Sequence, residues 1–449
     1  MKVIIIGCTH AGTAAVNRIY AQHPDTKVTI YEKNDNVSFL SCGIALYLGN
    51  KIRDPQGLFY SSPELLTKLG ANVKLEHEVT NVDPQSQTVT VKNLQTGQSF
   101  DDHYDKLIIT TGSWPIIPPI KGINNKKVFL CKTWDQAQTI WQKATQSKRI
   151  TIIGGGYIGV ELAEAFATPQ HQVTLIDGMP RILSKYLDAD FTNRIEQQFK
   201  DNNVTLALNQ FVQSFTGEDS LTITTNKGNQ FSSDLAILCV GFRPNTDLFK
   251  DKLSMNKDGS LATNEYMQTS DPHIYAAGDA VGIHYNPTQK EAYIPLATNA
   301  VRQGIIAGNN IFGNTMKDMG TQATSGLKLF DTVVVSSGMT LEHAQTEHIP
   351  AQAVNLEDNY RPEFMPTTTP VLMRLVYNPE NRRILGAQLM SKYDISQSAD
   401  TISVMIQNQN TIDELAMVDM LFQPNFDRPF NYLNLLGQAA VQQADQLNK

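Results

Sequence analysis

Hydrophobic positions along the 449-residue chain fall into two stretches that share one grammar and a third that does not. Residues 2–6 (KVIII) are an unbroken β-prone run, the pattern of a parallel strand buried on both faces. A glycine-bearing turn follows at 7–12, then a helical pattern over 13–21 and a second apolar run at 28–31. The same order returns near the middle of the chain. A strand at 149–153 leads into a turn at 154–159, a helix over 160–168 and a strand at 172–176. Two βαβ units so far apart predict two separate nucleotide-binding domains, not one long sheet.

Residues 113–119 (SWPIIPP) carry three prolines and predict an extended connector, and 241–245 (GFRPN) predicts a return crossing. After about Gly320 the glycine-turn grammar stops. Strand-like segments at 371–377 and 384–390, with helix-like stretches at 395–409 and 432–446, predict a third domain without a dinucleotide signature. The expected fold is α/β, with two Rossmann-like nucleotide-binding domains and a C-terminal α+β domain. The expected boundaries are 1–114 with 245–320 for the first domain, 115–244 for the second and 321–449 for the third.

Composition narrows the class. At roughly 150 residues per domain the length agrees with three. Hydrophobic residues make up 41% and charged residues 18%, with a mean hydropathy of -0.27, which describes a folded chain and not a disordered one. Acidic residues (44) outnumber basic ones (37) for a net charge of -7, the opposite of a nucleic-acid footprint. No apolar run approaches the roughly 20 residues that span a bilayer, and the N-terminal stretch is too short for a signal-peptide core. Cys8, Cys42, Cys131 and Cys239 are too few for a secreted disulfide framework. No pair is spaced as C-x-x-C, so neither a metal site nor a thioredoxin-type dithiol is expected, and the cytoplasm is the expected compartment.

The second glycine turn, Gly154-Gly155-Gly156-Tyr157-Ile158-Gly159, fits G-x-G-x-x-G between a strand and a helix. The first glycine permits the sharp turn, the second lets backbone N–H groups approach a pyrophosphate, and the third allows close packing. Asp177 ends the next strand, where a carboxylate accepts the ribose hydroxyls of NADH and repels a 2′-phosphate. Gly178 and Met179 follow it, so no arginine stands beside the acid, although Arg181 and Lys185 nearby leave room for NADPH. The first turn, Gly7-Cys8-Thr9-His10-Ala11-Gly12, departs from the fingerprint because Thr9 holds the central position. Glu32 at the end of the second strand, Thr110-Thr111-Gly112 after 107–109, and Gly278-Asp279 after 274–277 make FAD the natural ligand of this unit.

Cys42 differs from the other cysteines by position. It immediately precedes residues 43–48, a helical turn whose N-terminus would stabilise a thiolate. His10, if the glycine turn brings it near, would hold that thiolate in an ion pair and move protons. Buried and inert is the default for Cys8, Cys131 and Cys239.

Taken in order, GCTHAG, SFLSCGIALYLG, GGGYIGVELAEAF, VGFRPNT, YAAGDA, IPLATNAVRQG and QPNFDRPFNYLN resemble the flavoprotein disulfide-reductase superfamily across essentially the whole chain. Within it they are most similar to the single-cysteine branch of NADH oxidases and NADH peroxidases. Relatives with a redox disulfide carry C-x-x-x-x-C, and the second position here is Tyr47. The resemblance implies an FAD-dependent oxidase taking four electrons from two NADH to make water from O2, through a flavin hydroperoxide and a Cys42 thiolate–sulfenic acid cycle. NADH peroxidase, coenzyme A disulfide reductase and a non-catalytic flavin redox sensor are the alternatives. It also implies a set of FAD contacts: Gly7, Thr9, His10, Ala11, Gly12, Glu32, Lys33, Cys42, Val79, Thr110, Thr111, Gly112, Ser113, Lys132, Asp279, Leu296, Ala297 and Thr298. The NAD contacts it implies are Gly154, Gly156, Tyr157, Ile158, Gly159, Asp177, Gly178, Tyr186 and Gly241. The tail resembles an interface domain, which implies a homodimer, with Phe426 as a wall of the partner's active site.

Overall fold

Both predicted glycine turns lie at the C-terminal end of the middle strand of a five-stranded parallel sheet. In the computed structural model, which describes residues 1–447, the first sheet runs Ile274–Ala276, Lys106–Ile109, Lys2–Ile6, Lys27–Tyr31, Asn72–Lys74. The second runs Thr205–Ala207, Gln172–Ile176, Arg149–Ile153, Leu235–Leu238, Val128–Leu130. The unbroken apolar runs are explained by what covers them. Val3 and Ile5 enter one core with the helix His10–Gln22, whereas Ile4 and Ile6 enter a different core on the opposite face. In the second unit Ile150 and Ile152 enter one core and Ile153 another.

Each parallel sheet carries a three-stranded antiparallel companion that the hydrophobic pattern did not reveal: His77–Asp83, Thr88–Asn93, Ser99–His103 in the first unit and Val212–Thr216, Leu221–Thr225, Gln230–Ser233 in the second. The two predicted crossings lie side by side, because Ser113–Pro115 pairs antiparallel with Phe242–Pro244. Beyond them a five-stranded antiparallel sheet, ordered Ser325–Leu329, Thr332–Gly338, Ile384–Ser391, Pro370–Tyr377, Gln352–Asn359, is packed by the helices Ser396–Gln407 and Tyr432–Leu447. The last two residues of the expected third domain lie outside the described residues.

Two boundaries differ from expectation. The helices after the glycine turns begin at His10 and Tyr157, so the last three residues of each motif form the first helical turn. Their final glycines are there for close approach and do not break the helix. The second of these helices stops at Phe166 because Thr168 precedes Pro169, a position that disfavours helical backbone.

Candidate active site

The two glycine turns are built alike. Gly7 and Gly154 have φ of +88° and +110°, a region that side chains rarely adopt. A Cβ on Gly12 would stand 2.3 Å from the Gly7 carbonyl oxygen, and one on Gly159 would stand 1.8 Å from that of Gly154. Both glycines are therefore demanded by the backbone itself. In each unit the acid ending the second strand accepts from the second turn residue: Glu32 Oε2 from the Cys8 N–H at 2.8 Å, and Asp177 Oδ2 from the Gly155 N–H. The third turn residue behaves differently. A Cβ on Gly156 would meet nothing nearer than the Tyr186 ring at 3.9 Å, so the protein leaves open space there. Thr9, its counterpart, precedes its helix without a side-chain cap, leaving the first N–H groups available to a phosphate.

A cavity of about 600 Å³ opens beside the first turn. Of the expected flavin contacts, Gly7, Thr9, His10, Glu32, Lys33, Val79, Thr110, Thr111, Gly112, Ser113 and Lys132 line it. Ala11 and Gly12 are buried in the helix behind it, while Cys42, Asp279, Leu296, Ala297 and Thr298 are outside its lining. Asp279 is nevertheless tied to the rim. Its Oδ2 accepts from Ser113 Oγ at 2.6 Å, and Lys132 Nζ stands 3.8 Å from the same oxygen and 3.3 Å from Ser113 Oγ. Leu296 caps the helix Ala297–Asn310, whose Gly304 lies against the Ala11 carbonyl. Glu32 is buried, which pushes its carboxyl up, while the N–H groups of Asn34 and Cys8 and the Lys33 charge pull it down. At about 600 Å³, lined by the glycine turn, the Glu32 carboxylate and Lys132, the cavity fits a dinucleotide such as FAD.

Ser41–Gly43 is a single tight turn that leads straight into Ile44–Leu48, only five residues of helix, so Cys42 sits in the turn just ahead of the helix cap Gly43. The expected helix start is present, since Gly43 is the N-cap of Ile44–Leu48, but five residues of helix offer a thiolate only a weak dipole. Although the Cys42 side chain is exposed, the surrounding protein pushes its thiol above its ordinary range; Lys132 pulls it down, and Glu161 and Asp279 push it up. His10 also departs from expectation. Burial lowers its pKa, against the pull of Asp279, so the ring favours the neutral form and makes a poor ion-pair partner. Its Nδ1 is 2.8 Å from the Tyr60 hydroxyl, and its buried Nε2 has no partner among the described residues.

Tyr60 falls in no sequence motif, and Glu161, although inside GGGYIGVELAEAF, was given no role by it. Glu161 projects from the helix Tyr157–Phe166, and burial, with help from the Glu164 charge, raises its carboxyl to about 7. Lys51 goes to Glu164 instead, at 2.6 Å. The other three thiols are shut away: Cys8 and Cys131 are pushed up to about 12 by burial, and Cys239 is raised well above its ordinary range. Tyr47, at the place of a second redox sulfur, packs on Trp134 with ring centroids 5.0 Å apart.

In the second unit Tyr157 stacks on Tyr186 at 4.0 Å and its hydroxyl bonds Ser325 Oγ at 2.6 Å. Ile158 follows in the first turn of the same helix. Gly241, with φ of +108°, opens the return crossing beside Ile116. Gly178 lies directly under the Phe211 ring. Arg181 is committed elsewhere, to Glu342 at 2.6 Å. Phe426 is 59% exposed, amid Met417, Leu421 and Phe430, which are exposed as well. Among the described residues no helix is long and apolar enough to cross a membrane, and no group of three or more His, Cys, Asp or Glu could hold a metal ion.

Two Rossmann-type units, a reachable lone thiol and an antiparallel C-terminal domain define a two-nucleotide oxidoreductase. The profile of the family described as pyridine nucleotide-disulphide oxidoreductase matches residues 1–304, and that of its dimerisation domain matches residues 324–432. An NADH oxidase of Enterococcus faecalis is 54% identical over 444 residues, covering 98% of this chain and 100% of the relative. The solved structure of a water-forming NADH oxidase from Lactobacillus brevis bound to NADH superimposes with a TM-score of 0.99 at 60% identity, covering 100% of both chains. An engineered water-forming NADPH oxidase bound to NADPH gives a TM-score of 0.99 at 59% identity, again over 100% of both. The chain belongs to the pyridine nucleotide-disulphide oxidoreductase family.

Proposed function

We propose that this chain is an FAD-dependent NADH oxidase that reduces O2 to water, consuming two NADH per O2. The observation that carries the reading is one accessible thiol, Cys42, beside the cavity, with an aromatic residue where a dithiol enzyme keeps its second sulfur. Full-length identity to NADH oxidases supports it. The domain boundaries at residues 114/115, 244/245 and 320/321 belong to the same proposal.

FAD, when bound, supplies the two-electron chemistry that links NADH to oxygen. Glu32, the first glycine turn, Thr110–Gly112, Lys132 and Asp279 hold it. Gly154, Gly156 and the helix start at Tyr157 take the NADH pyrophosphate, and Asp177 takes the adenosine ribose. Cys42 performs the second half of the reduction. Its thiolate attacks one oxygen of hydrogen peroxide, the O–O bond breaks, and hydroxide leaves as the sulfur becomes a sulfenic acid. A proton converts that hydroxide to water. Two electrons and a proton then release the sulfenic oxygen as the second water and return the thiolate. His10, a residue of the cavity wall held by Tyr60 at Nδ1, supplies the proton from its otherwise unpartnered Nε2.

The dimerisation domain supports a homodimer, with Phe426 and its exposed apolar neighbours as the contact that reaches the partner's site. Four free cysteines fit a reducing, cytoplasmic compartment. Simultaneous recording of O2 uptake, NADH loss and peroxide release tests the reading. One O2 per two NADH without released peroxide is expected; a need for added peroxide makes the protein a peroxidase and overturns the proposal.

A further inference from the structure

Phe211 carries a large aromatic ring that is 64% exposed, yet its backbone is tightly fixed. Its N–H donates to Asn226 Oδ1 at 2.9 Å, and its carbonyl accepts from the Asn226 N–H at 2.8 Å. Just before it, Gln210 N–H donates to the Asp177 carbonyl and Asn209 N–H to the Met179 carbonyl, both at 3.0 Å. This two-rung ladder stitches the segment onto the strand end that bears Asp177, and it lays the Phe211 ring over Gly178.

A Cβ on Gly178 would stand 2.1 Å from Phe211 Cε1 and 2.5 Å from Cζ. Gly178 is not in the left-handed region, so its own backbone would accept any residue. The space is taken by the ring and not by backbone, so a side chain at 178 requires the Phe211 ring to swing aside. That exclusion falls where a cation would have to begin in order to meet a 2′-phosphate. Arg181, the next cation along the chain, is paired with Glu342 on the far side. Asp177 meanwhile presents its carboxylate one residue away, and Met179 is exposed beside it. A carboxylate for ribose hydroxyls next to a fixed aromatic face for a purine is the recognition chemistry of an unphosphorylated adenosine.

We propose that Phe211 is a specificity residue for NADH: its ring packs against the adenine side of the dinucleotide and, by occupying the space above residue 178, keeps that position glycine and excludes a phosphate-binding side chain. The proposal rests on the reading of Gly154–Asp177 as the NADH site.

The test compares NADH with reduced nicotinamide mononucleotide, which delivers the same hydride but lacks adenosine, on the FAD-loaded enzyme. In Phe211→Ala the ratio of kcat/KM for NADH to that for the mononucleotide falls about tenfold, as expected for loss of one aromatic contact. A ratio within twofold of wild type overturns the adenine assignment. Asp177→Ala separates the two layers of the argument. If it lowers the ratio while Phe211→Ala does not, only the role of Phe211 fails; if neither moves it, the dinucleotide reading fails with it. In the second arm Gly178→Arg is placed in the Asp177→Ala background with and without Phe211→Ala. The gain in NADPH over NADH preference is expected to be at least fivefold larger once the ring is removed. Equal gains in the two backgrounds overturn the steric claim.

Discussion

The Tyr60 hydroxyl lies 2.8 Å from His10 Nδ1, with the two rings stacked at 5.4 Å and inclined by only 4°. Burial raises the Tyr60 pKa, so its hydroxyl stays protonated. An O–H donated to Nδ1 leaves the imidazole proton on Nε2, a buried atom with no partner among the described residues. Tyr60→Phe removes that selection and frees the other tautomer. A hydrogen bond of this kind is worth roughly 1 kcal/mol, so about a fivefold loss in the peroxide-reducing step is expected. Peroxide release per NADH, followed with a coupled peroxidase dye, reads it directly. Unchanged release would mean that the pair only packs.

Cys42→Ser separates the two halves of the reduction. If the thiolate carries the second half, oxygen uptake persists, and the stoichiometry moves from one O2 per two NADH to one O2 per NADH with hydrogen peroxide as product. A serine variant that still makes only water would remove sulfur from the mechanism.

Glu161 gives a pH signature. The helices Ile44–Leu48 and Tyr157–Phe166 lie alongside, since a Cβ on Gly49 would sit 3.3 Å from Ala165 Cβ and Lys51 reaches Glu164. One turn back along the second helix, Glu161 stands toward the Cys42 end. Its folded pKa of about 7 lies above its ordinary 4.5. Folding therefore favours the protonated form: stability is fully present below pH 4.5 and falls as pH rises through 7. Glu161→Gln abolishes that fall, adding about 3 kcal/mol at pH 8 and nothing at pH 4, as thermal midpoints would record. The same substitution removes a negative charge that raises the Cys42 thiol, so the pH midpoint of Cys42 alkylation moves down. A midpoint that stays put or rises contradicts the coupling.

How much of this was legible in the sequence depends on the range of the forces involved. Both glycine turns, Glu32, Asp177, Cys42 and the proline-rich crossing could be read because each is a local requirement: a positive φ, a close approach, an acid ending a strand. Tyr60 could not, since it stands in a loop with no periodic signal and meets His10 only through the fold. Glu161 lies inside a motif, but nothing local to the sequence marks a carboxyl that burial and the Glu164 charge raise. Phe211 belongs to no motif, and only the ladder to Asp177 and Met179 gives it a place. The expected low-pKa thiolate failed for a related reason. A five-residue helix is a weak dipole, and burial with two nearby carboxylates outweighs it.

Asp188 offers the sharpest stability test, because one buried carboxylate joins the second unit to the C-terminal domain. It is 1% exposed. Its oxygens accept from Gln388 Nε2 at 2.7 Å and from the N–H groups of Leu341 and Glu342 at 3.1 and 3.2 Å, at the start of the helix Leu341–Thr346. Arg374 Nε stands 3.1 Å away, its guanidinium shared with Asp190. Asp188→Ala leaves the mostly buried Arg374 guanidinium with Asp190 alone and strips two helix-start N–H groups of their acceptor. Breaking a buried pair from one side costs about 3–5 kcal/mol, far more than deleting an exposed one. The thermal midpoint is expected to drop steeply, while NADH oxidation per folded molecule at 25 °C stays near wild type because Asp188 is outside the cavity lining and both glycine turns. Arg194→Ala, which breaks the exposed pair with Glu357 at 2.8 Å, is the matched control and shifts the midpoint by less than a fifth as much. Equal shifts in the two variants would show that the carboxylate is solvated in solution and that the two regions are held together by apolar packing alone.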